Sequence, residues 1–283
     1  MRGLQKEKLT HTKYDKAMED HAEIYEDTIK ICDKKDYESQ KAERLNIDEL
    51  LEIPFDKSEN SSKNTLVRVF NMNPLTALSV LIDKKYDVMY AYASNEHTFG
   101  GCVTRSIGGD EEHLFRCCNI SSIINEDDYP IKEDECLYLP LVTFIKDECY
   151  EKMKSPFVAP VLSIPVNKNP RTILIKKGNS NVPMYEDEHE VKKIKRKLEA
   201  IFKVAKKYNK GIVIGAYGLA QRHPKECIVE LLNECIKAYK PSYIFICIKQ
   251  LPDYVKYTSR ESVPVGLKDE VFMYFHENIN RNP

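Results

Sequence analysis

The stretch Gly211-Ile212-Val213-Ile214-Gly215-Ala216-Tyr217-Gly218-Leu219-Ala220-Gln221-Arg222-His223-Pro224 runs from a short β-branched segment through a glycine-containing turn to a proline. From Lys225 to Tyr239 the apolar residues Ile228, Leu231, Leu232, Cys235 and Ile236 then recur at helical spacing. Tyr243 to Ile248 is again short and β-branched. Upstream, Val191 to Tyr208 gathers Val191, Ile194, Leu198, Ile201, Phe202 and Ala205 on one helical face. The order is therefore helix, strand, turn, helix, strand. Alternation of this kind predicts a mixed or parallel sheet covered by helices on both faces. In such sheets ligands bind at the loops that leave the carboxyl ends of the strands, so the turn at 215–224 is a candidate site.

The same alternation extends toward the N-terminus. Leu66 to Phe70 and Asp87 to Tyr92 read as strands, and Pro74 to Leu81 between them reads as a helix with proline in its first turn, which makes one βαβ unit. Leu141 to Ile145 and Val161 to Val166 are further strand candidates. Tyr14 to Lys35 places Ala17, Ile24, Thr28, Ile31 and Cys32 at helical spacing and predicts an amphipathic helix that caps the domain. Asp56 to Asn64, with Ser58, Ser61 and Ser62, is too polar to bury a core and reads as a flexible loop. The chain divides accordingly into an N-terminal helical extension and loop, 1–63, and an α/β core, 64–283.

Composition narrows the function. The 283 residues carry 43 Lys+Arg against 44 Asp+Glu, 42% hydrophobic residues and a mean hydropathy of −0.49, as expected of a soluble globular protein. A formal net charge of −1 supplies no global field for a nucleic-acid backbone or an anionic membrane. The run Lys192, Lys193, Lys195, Arg196, Lys197 fills the polar side of an amphipathic helix and reads as a solvated face. Met1 to Lys8 lacks the apolar core of a secretory signal, and no apolar run has the length of a membrane span, so the expectation is an intracellular protein, cytoplasmic or nuclear. Nine cysteines, an odd number without a Cys-x-x-Cys pair, read as reduced thiols; Cys227, Cys235 and Cys247 lie in apolar patterns and should be buried. His97, His113 and His223 are scattered, with no Cys or His at zinc-ligand spacing and no Gly-x-Ser-x-Gly elbow, so neither metal nor cofactor is expected.

A second loop has unusual chemistry. Between Ser94 and His113, four of the ten glycines fall at Gly100, Gly101, Gly108 and Gly109, after a predicted strand. Glycine lets the backbone approach a ligand and aim N–H groups at anionic oxygens, so this is either a phosphate or sugar cradle or a flexible surface turn. It has neither the Gly-Lys-Ser/Thr of a P-loop nor a Gly-x-Gly-x-x-Gly. Glu111 and Glu112 follow. Paired carboxylates are the usual equipment for cleaving a glycosidic bond, yet acids also stabilise the first turn of a helix that Leu114, Phe115 and Cys118 could continue. Taken alone, the residues favour the helix start. The 215–224 turn is equally open between an anion site at a helix N-terminus and a tight turn without a ligand.

Taken together, Gly100-Gly101-Cys102, seven residues, Asp110-Glu111-Glu112 and then His113-Leu114-Phe115-Arg116 resemble the signature of the microbial-type poly(ADP-ribose) glycohydrolases, which are macrodomain proteins: Gly-Gly-Gly, a spacer, Gln-Glu-Glu and a Leu-x-Arg stretch. Ile214-Gly215-Ala216-Tyr217-Gly218 resembles the family's Leu-Gly-Ala-Trp-Gly-Cys-Gly loop, and Leu139 to Phe144 a further family segment, so the resemblance spans roughly residues 14 to 250. It implies a three-layer α/β/α macrodomain with a mixed sheet and an N-terminal helical extension. It also implies a monomer that binds ADP-ribose, poly(ADP-ribose) or ADP-ribosylated proteins and hydrolyses ribose–ribose bonds, with no metal, membrane or sequence-specific nucleic acid. On the matching positions Glu112 would be the proton donor and Glu111 would hold a ribose hydroxyl. Gly100, Gly101, Cys102 and Asp110 would line the sugar and diphosphate, and Gly215, Ala216, Tyr217 and Gly218 would begin the second diphosphate loop. Cys102 and Asp110 depart from the signature. The second loop also lacks the family's following Cys-Gly-x-Phe and reaches its proline early. Arg222 could there replace amide contacts by a charge-assisted one. The alternative is a macrodomain that holds ADP-ribose or a related nucleotide without efficient turnover.

Overall fold

The computed structural model describes residues 21–35, 37–54, 65–104, 109–249 and 269–280. Its main sheet has seven strands: β1 (Glu43–Asn46), β2 (Leu66–Phe70), β3 (Val88–Ser94), β4 (Glu135–Lys146), β5 (Lys152–Pro165), β8 (Gly211–Ile214) and β9 (Tyr243–Cys247). Their order is β1-β4-β5-β3-β8-β9-β2. From β5 to β2 all neighbours are parallel, whereas β4 is antiparallel to both β1 and β5. β6 (Thr172–Lys177) and β7 (Ser180–Tyr185) form a separate antiparallel hairpin. The helices are α1 (His21–Lys34), α2 (Ile47–Glu52), α3 (Pro74–Asp83), α4 (Asp110–Cys117), α5 (Glu188–Lys207), α6 (Lys225–Tyr239) and α7 (Asp269–Asn278).

The layers follow from the two-residue period of β3. Met89, Ala91 and Ala93 join one apolar cluster with α2, α5, α6 and α7, while Val88, Tyr90 and Tyr92 join a second with α3 and α4. The predicted α/β/α sandwich with a mixed sheet is present. β2, α3 and α6 lie where the sequence reading puts them, and Cys227, Cys235 and Cys247 are buried. β2 and β3, however, do not pair: β9 and β8 stand between them, so the crossover through α3 spans two intervening strands.

Two expectations change. The N-terminal segment contributes a strand as well as helices, for β1 pairs with β4 along Glu43–Tyr138 to Asn46–Glu135, and α2 buries Ile47 and Leu50. The Asn46 side chain caps α2 by accepting the Glu49 N–H at 3.1 Å. The basic run on α5 is not uniformly solvated. Lys197 is buried, its ammonium donates to the Glu133 carbonyl, and desolvation pushes its pKa down to about 8. Lys192, Lys193, Lys195 and Arg196 pair with Glu188, Glu190, Glu234 and Asp48. Within α1, Thr28 and Cys32 are buried; residues 14–20 and the predicted loop at 56–64 lie outside the described residues.

Candidate functional site

Three parallel neighbours, β5, β3 and β8, end at the same edge of the sheet, with Ser94 beside Pro165 and Ala91 beside Ile214. The loops that leave them, at 166–171, 95–104 and 215–224, are therefore adjacent in space although far apart in sequence. Both loops singled out from the sequence are at this edge. The third was not anticipated.

After β3 the chain turns sharply. The Asn95 side-chain oxygen accepts the N–H groups of His97 and Thr98, and the Gly101 N–H donates to the Thr98 carbonyl at 3.0 Å. Gly100 and Gly101 then have φ of +63° and +58°, a region that disfavours any residue with a Cβ. Space is a second constraint at Gly101. A Cβ there, like one at Gly109, would collide with the Glu112 carboxylate, so the two glycines form the slot in which that acid lies. Glu112 Oε1 accepts the Cys102 N–H at 2.9 Å. The amide at Cys102 thus serves the acid.

Asp110, Glu111 and Glu112 occupy the first turn of α4, where acids complement the helix dipole. The helix-start reading is therefore correct, and because consecutive helical residues diverge by about 100°, the three acids face different surroundings. Asp110 points toward the second loop, its Oδ2 3.8 Å from where a Cβ on Gly215 would lie. Burial and then the neighbouring Glu112 push its pKa up to about 6. Glu111 turns inward and is buried. Its Oε1 accepts the Tyr129 hydroxyl proton at 2.6 Å and its Oε2 accepts the Asn95 N–H. Burial outweighs these two hydrogen bonds and pushes its pKa up to about 8. Glu112, partly exposed, faces the glycine turn.

Behind the acids lies a buried polar network that sequence reasoning missed. The Asn73 Oδ1 caps α3 by accepting the Leu75 N–H at 2.8 Å, which orients its Nδ2 toward His113 Nε2 at 3.4 Å. His113 Nδ1 is 3.0 Å from the Tyr150 hydroxyl. Burial, then the Arg116 charge, lowers the His113 pKa to about 3, so the ring is neutral, with Nε2 accepting and Nδ1 donating. Arg116, fully buried, donates to the Val103 carbonyl from Nε at 3.1 Å and from its terminal nitrogen at 2.8 Å, tying the glycine loop to α4. Only Arg116 has a local signal, its place in the Leu-x-Arg stretch. Asn73, Tyr129 and Tyr150 are brought in by topology.

The second loop is closed on itself. The Leu219 N–H donates to the Ala216 carbonyl, those of Gln221 and His223 to Gly218, and that of Arg222 to Leu219, at 3.0–3.1 Å. Four amides of the loop's second half, at Leu219, Gln221, Arg222 and His223, are therefore engaged. Gly218 has φ +83° and packs on the His223 ring, 3.2 Å from where a Cβ would lie. Tyr217 is buried with its hydroxyl toward the Ile164 carbonyl at 3.4 Å, so at this edge it contributes backbone alone. Ala216 is partly exposed and Arg222 exposed. His223, read from sequence as an isolated histidine, is buried: Nδ1 accepts the Tyr185 hydroxyl proton at 2.7 Å and Nε2 donates to the Asn167 carbonyl at 2.8 Å. Burial lowers its pKa, consistent with this neutral form. It pins the second loop to the third.

The fold is that of solved poly(ADP-ribose) glycohydrolases. The enzyme from Thermomonospora curvata bound to the inhibitor ADP-HPD superposes with a TM-score of 0.64 at 13% identity, over 82% of this chain and 95% of that one. The enzyme from Deinococcus radiodurans in complex with ADP-ribose gives a TM-score of 0.57 at 13% identity, over 76% and 88%. No protein-family profile and no curated protein sequence matches the chain.

Proposed function

We propose that the protein is an ADP-ribosyl glycohydrolase acting on the ribose–ribose bonds of poly(ADP-ribose). The observation that carries this reading is the Glu112 carboxylate, held in a slot between Gly101 and Gly109 at the carboxyl edge of the sheet, with Glu111 beside it. A glycosidic bond breaks when the departing oxygen receives a proton and the anomeric carbon takes up positive charge. Glu112 delivers that proton to the leaving hydroxyl. It then takes one from the water that adds to the anomeric carbon, which leaves the acid as it began. Glu111, neutral over most of the physiological range, spares Glu112 a like-charged neighbour, and through Asn95 it fixes the turn on which the ribose rests. Gly100 and Gly101 give the tight turn that carries Glu112 to the sugar, while Gly215, Ala216 and Gly218 form the facing wall. Support for the ligand comes from the Deinococcus enzyme's complex with ADP-ribose.

A second reading, a macrodomain that binds ADP-ribose without turnover, is favoured by the internally bonded amides of the second loop. One experiment separates the two. Glu112→Gln keeps the side chain's shape but cannot donate the proton, so release of free ADP-ribose from automodified polymer should fall by roughly a hundred- to ten-thousandfold with ligand affinity retained. Equal release by wild type and variant, or none by either, would leave the binding reading in place.

A further inference from the structure

The hairpin β6–β7 has one strand held by the rest of the molecule and one left unpaired on its outer side. β7 is anchored: the Tyr185 hydroxyl donates to His223 Nδ1 at 2.7 Å, and the sulfurs of Met184 and Cys227 are 3.7 Å apart. β6 pairs with β7 and with no other described strand, and all its residues are exposed except the half-buried Ile175. The register shows which backbone groups are left over. Gly178-Asn179, with Gly178 at φ +59°, is a two-residue turn closed by the pair Lys177–Ser180, and bonded and non-bonded pairs alternate along antiparallel strands from there. Residues 173, 175 and 177 therefore bond inward to β7, and the same alternation holds at Arg171, whose carbonyl accepts the Glu186 N–H at 3.0 Å. The N–H and C=O groups of Thr172, Leu174 and Lys176 point away from β7. Along this edge Ile173 and Leu174 are 45% and 69% exposed. Such an edge is a template for a further strand, and a two-stranded ribbon alone is marginally stable.

The charges identify the strand that fits. At the end nearest the turn, Lys176 and Lys177 are exposed and form no ion pair with a described residue. At the other end three carboxylates share two cations: Glu186, Asp187 and Glu190 lie 3.5, 2.8 and 3.5 Å from Arg171, and Lys193 lies 3.7 Å from Glu190. β6 thus runs from an acidic end to a basic end, with Ile173, Leu174 and Ile175 between them. A second β6 turned about a twofold axis at Leu174 sets residue 172 opposite 176 and residue 171 opposite 177. Each basic end then meets an acidic one, and the outward groups of Thr172, Leu174 and Lys176 on both strands come into bonding register. We propose that β6 is a homodimer interface, in which two copies of this chain pair their β6 strands antiparallel to form one four-stranded sheet. The contact is isologous and closes at two copies. It departs from the monomer that the family resemblance implies, and it does not depend on the function proposed above.

The test is sedimentation velocity of the full chain over a range of micromolar concentrations. Wild type should sediment as a reversible dimer that weakens as salt screens its charged ends. Leu174→Pro removes the central outward N–H while leaving the bonds of the hairpin intact, and should weaken the dimer by roughly tenfold or more. The double substitution Lys176→Glu with Lys177→Glu should weaken it likewise, because it sets like charges at both ends. Lysines on an edge strand can instead serve to keep other strands away. In that case the wild type is a monomer and the charge-reversed protein associates no less than it does. All three positions are exposed, and circular dichroism will show that the fold is kept; should Leu174→Pro fail to fold, the charge-reversed protein, whose backbone is unaltered, decides alone. A wild type that stays monomeric, or a dimer that either folded variant leaves intact, would overturn the interface.

Discussion

Glu111 and Glu112 are adjacent and chemically identical, yet one is buried under two hydrogen-bond donors and the other, partly exposed, lies in a slot between two glycines. The difference has a consequence for stability. In the fold Glu111 keeps its proton up to about pH 8, whereas the unfolded chain releases it near the ordinary value of 4.5. The folded state therefore binds more protons over that window, and the contribution of Glu111 to stability, full below about pH 4.5, is lost as pH rises to about 8. Replacing Glu111 by Gln should remove this component. The difference in unfolding free energy, wild type minus variant, should decline across the window, and denaturant titrations at several pH values will measure it; a flat difference would refute the assignment. The presence of the paired acids was legible in the sequence, but their division of environment was not. It depends on Tyr129 and Asn95, which reach Glu111 only because β3 and the segment before β4 meet at α4.

Legibility at the level of elements followed burial. α6 and β2 bury a regular face, so their spacing marks their limits. β1 is short and buries only Leu45, and the β6–β7 hairpin leaves Ile173 and Leu174 45% and 69% exposed, so neither carries a clear period. Helix α4 shows a conflict between local stability and the site. Its N-cap is Gly109, which makes no side-chain capping bond. Serine at this place in an ordinary helix is as good as glycine or better by a few tenths of a kcal/mol, but here its Cβ would enter the space of the Glu112 carboxylate. Gly109→Ser is therefore expected to displace Glu112 and lower both ADP-ribose release and stability. Thermal melts together with the release assay will check it; a more stable variant of full activity would show that the slot is not needed.

Across the whole molecule, the sheet order gathers the site by placing β5, β3 and β8 side by side. The same order makes the N-terminal segment part of the sheet's far edge. We propose that the division at residue 63 marks a boundary in sequence rather than a separable unit, because β1 covers β4 and Ile47 and Leu50 are buried against the core. Ile47→Ala should cost about 2–5 kcal/mol, and a chain beginning at residue 64 should be less stable still, with the edge of β4 laid open. Denaturant unfolding of both proteins measures the loss; melting unchanged from that of the full chain would show that the extension is independent. Among the described residues, no helix is long and apolar enough to cross a membrane.

The sequence by itself determined the α/β class, the limits of α6 and β2, the two glycine turns and the acids at 111 and 112. Each of these rests on local chemistry: the period of buried side chains, the freedom of glycine, the charge of a carboxylate. Only the tertiary structure decided that β2 and β3 stand apart, that Tyr217 faces the core and that His223 pins the second loop to the third. These are contacts between segments remote in the chain. Side-chain spacing records which face of an element is covered but not by what, so a partner some fifty residues away becomes visible only when the sheet sets its strands in order.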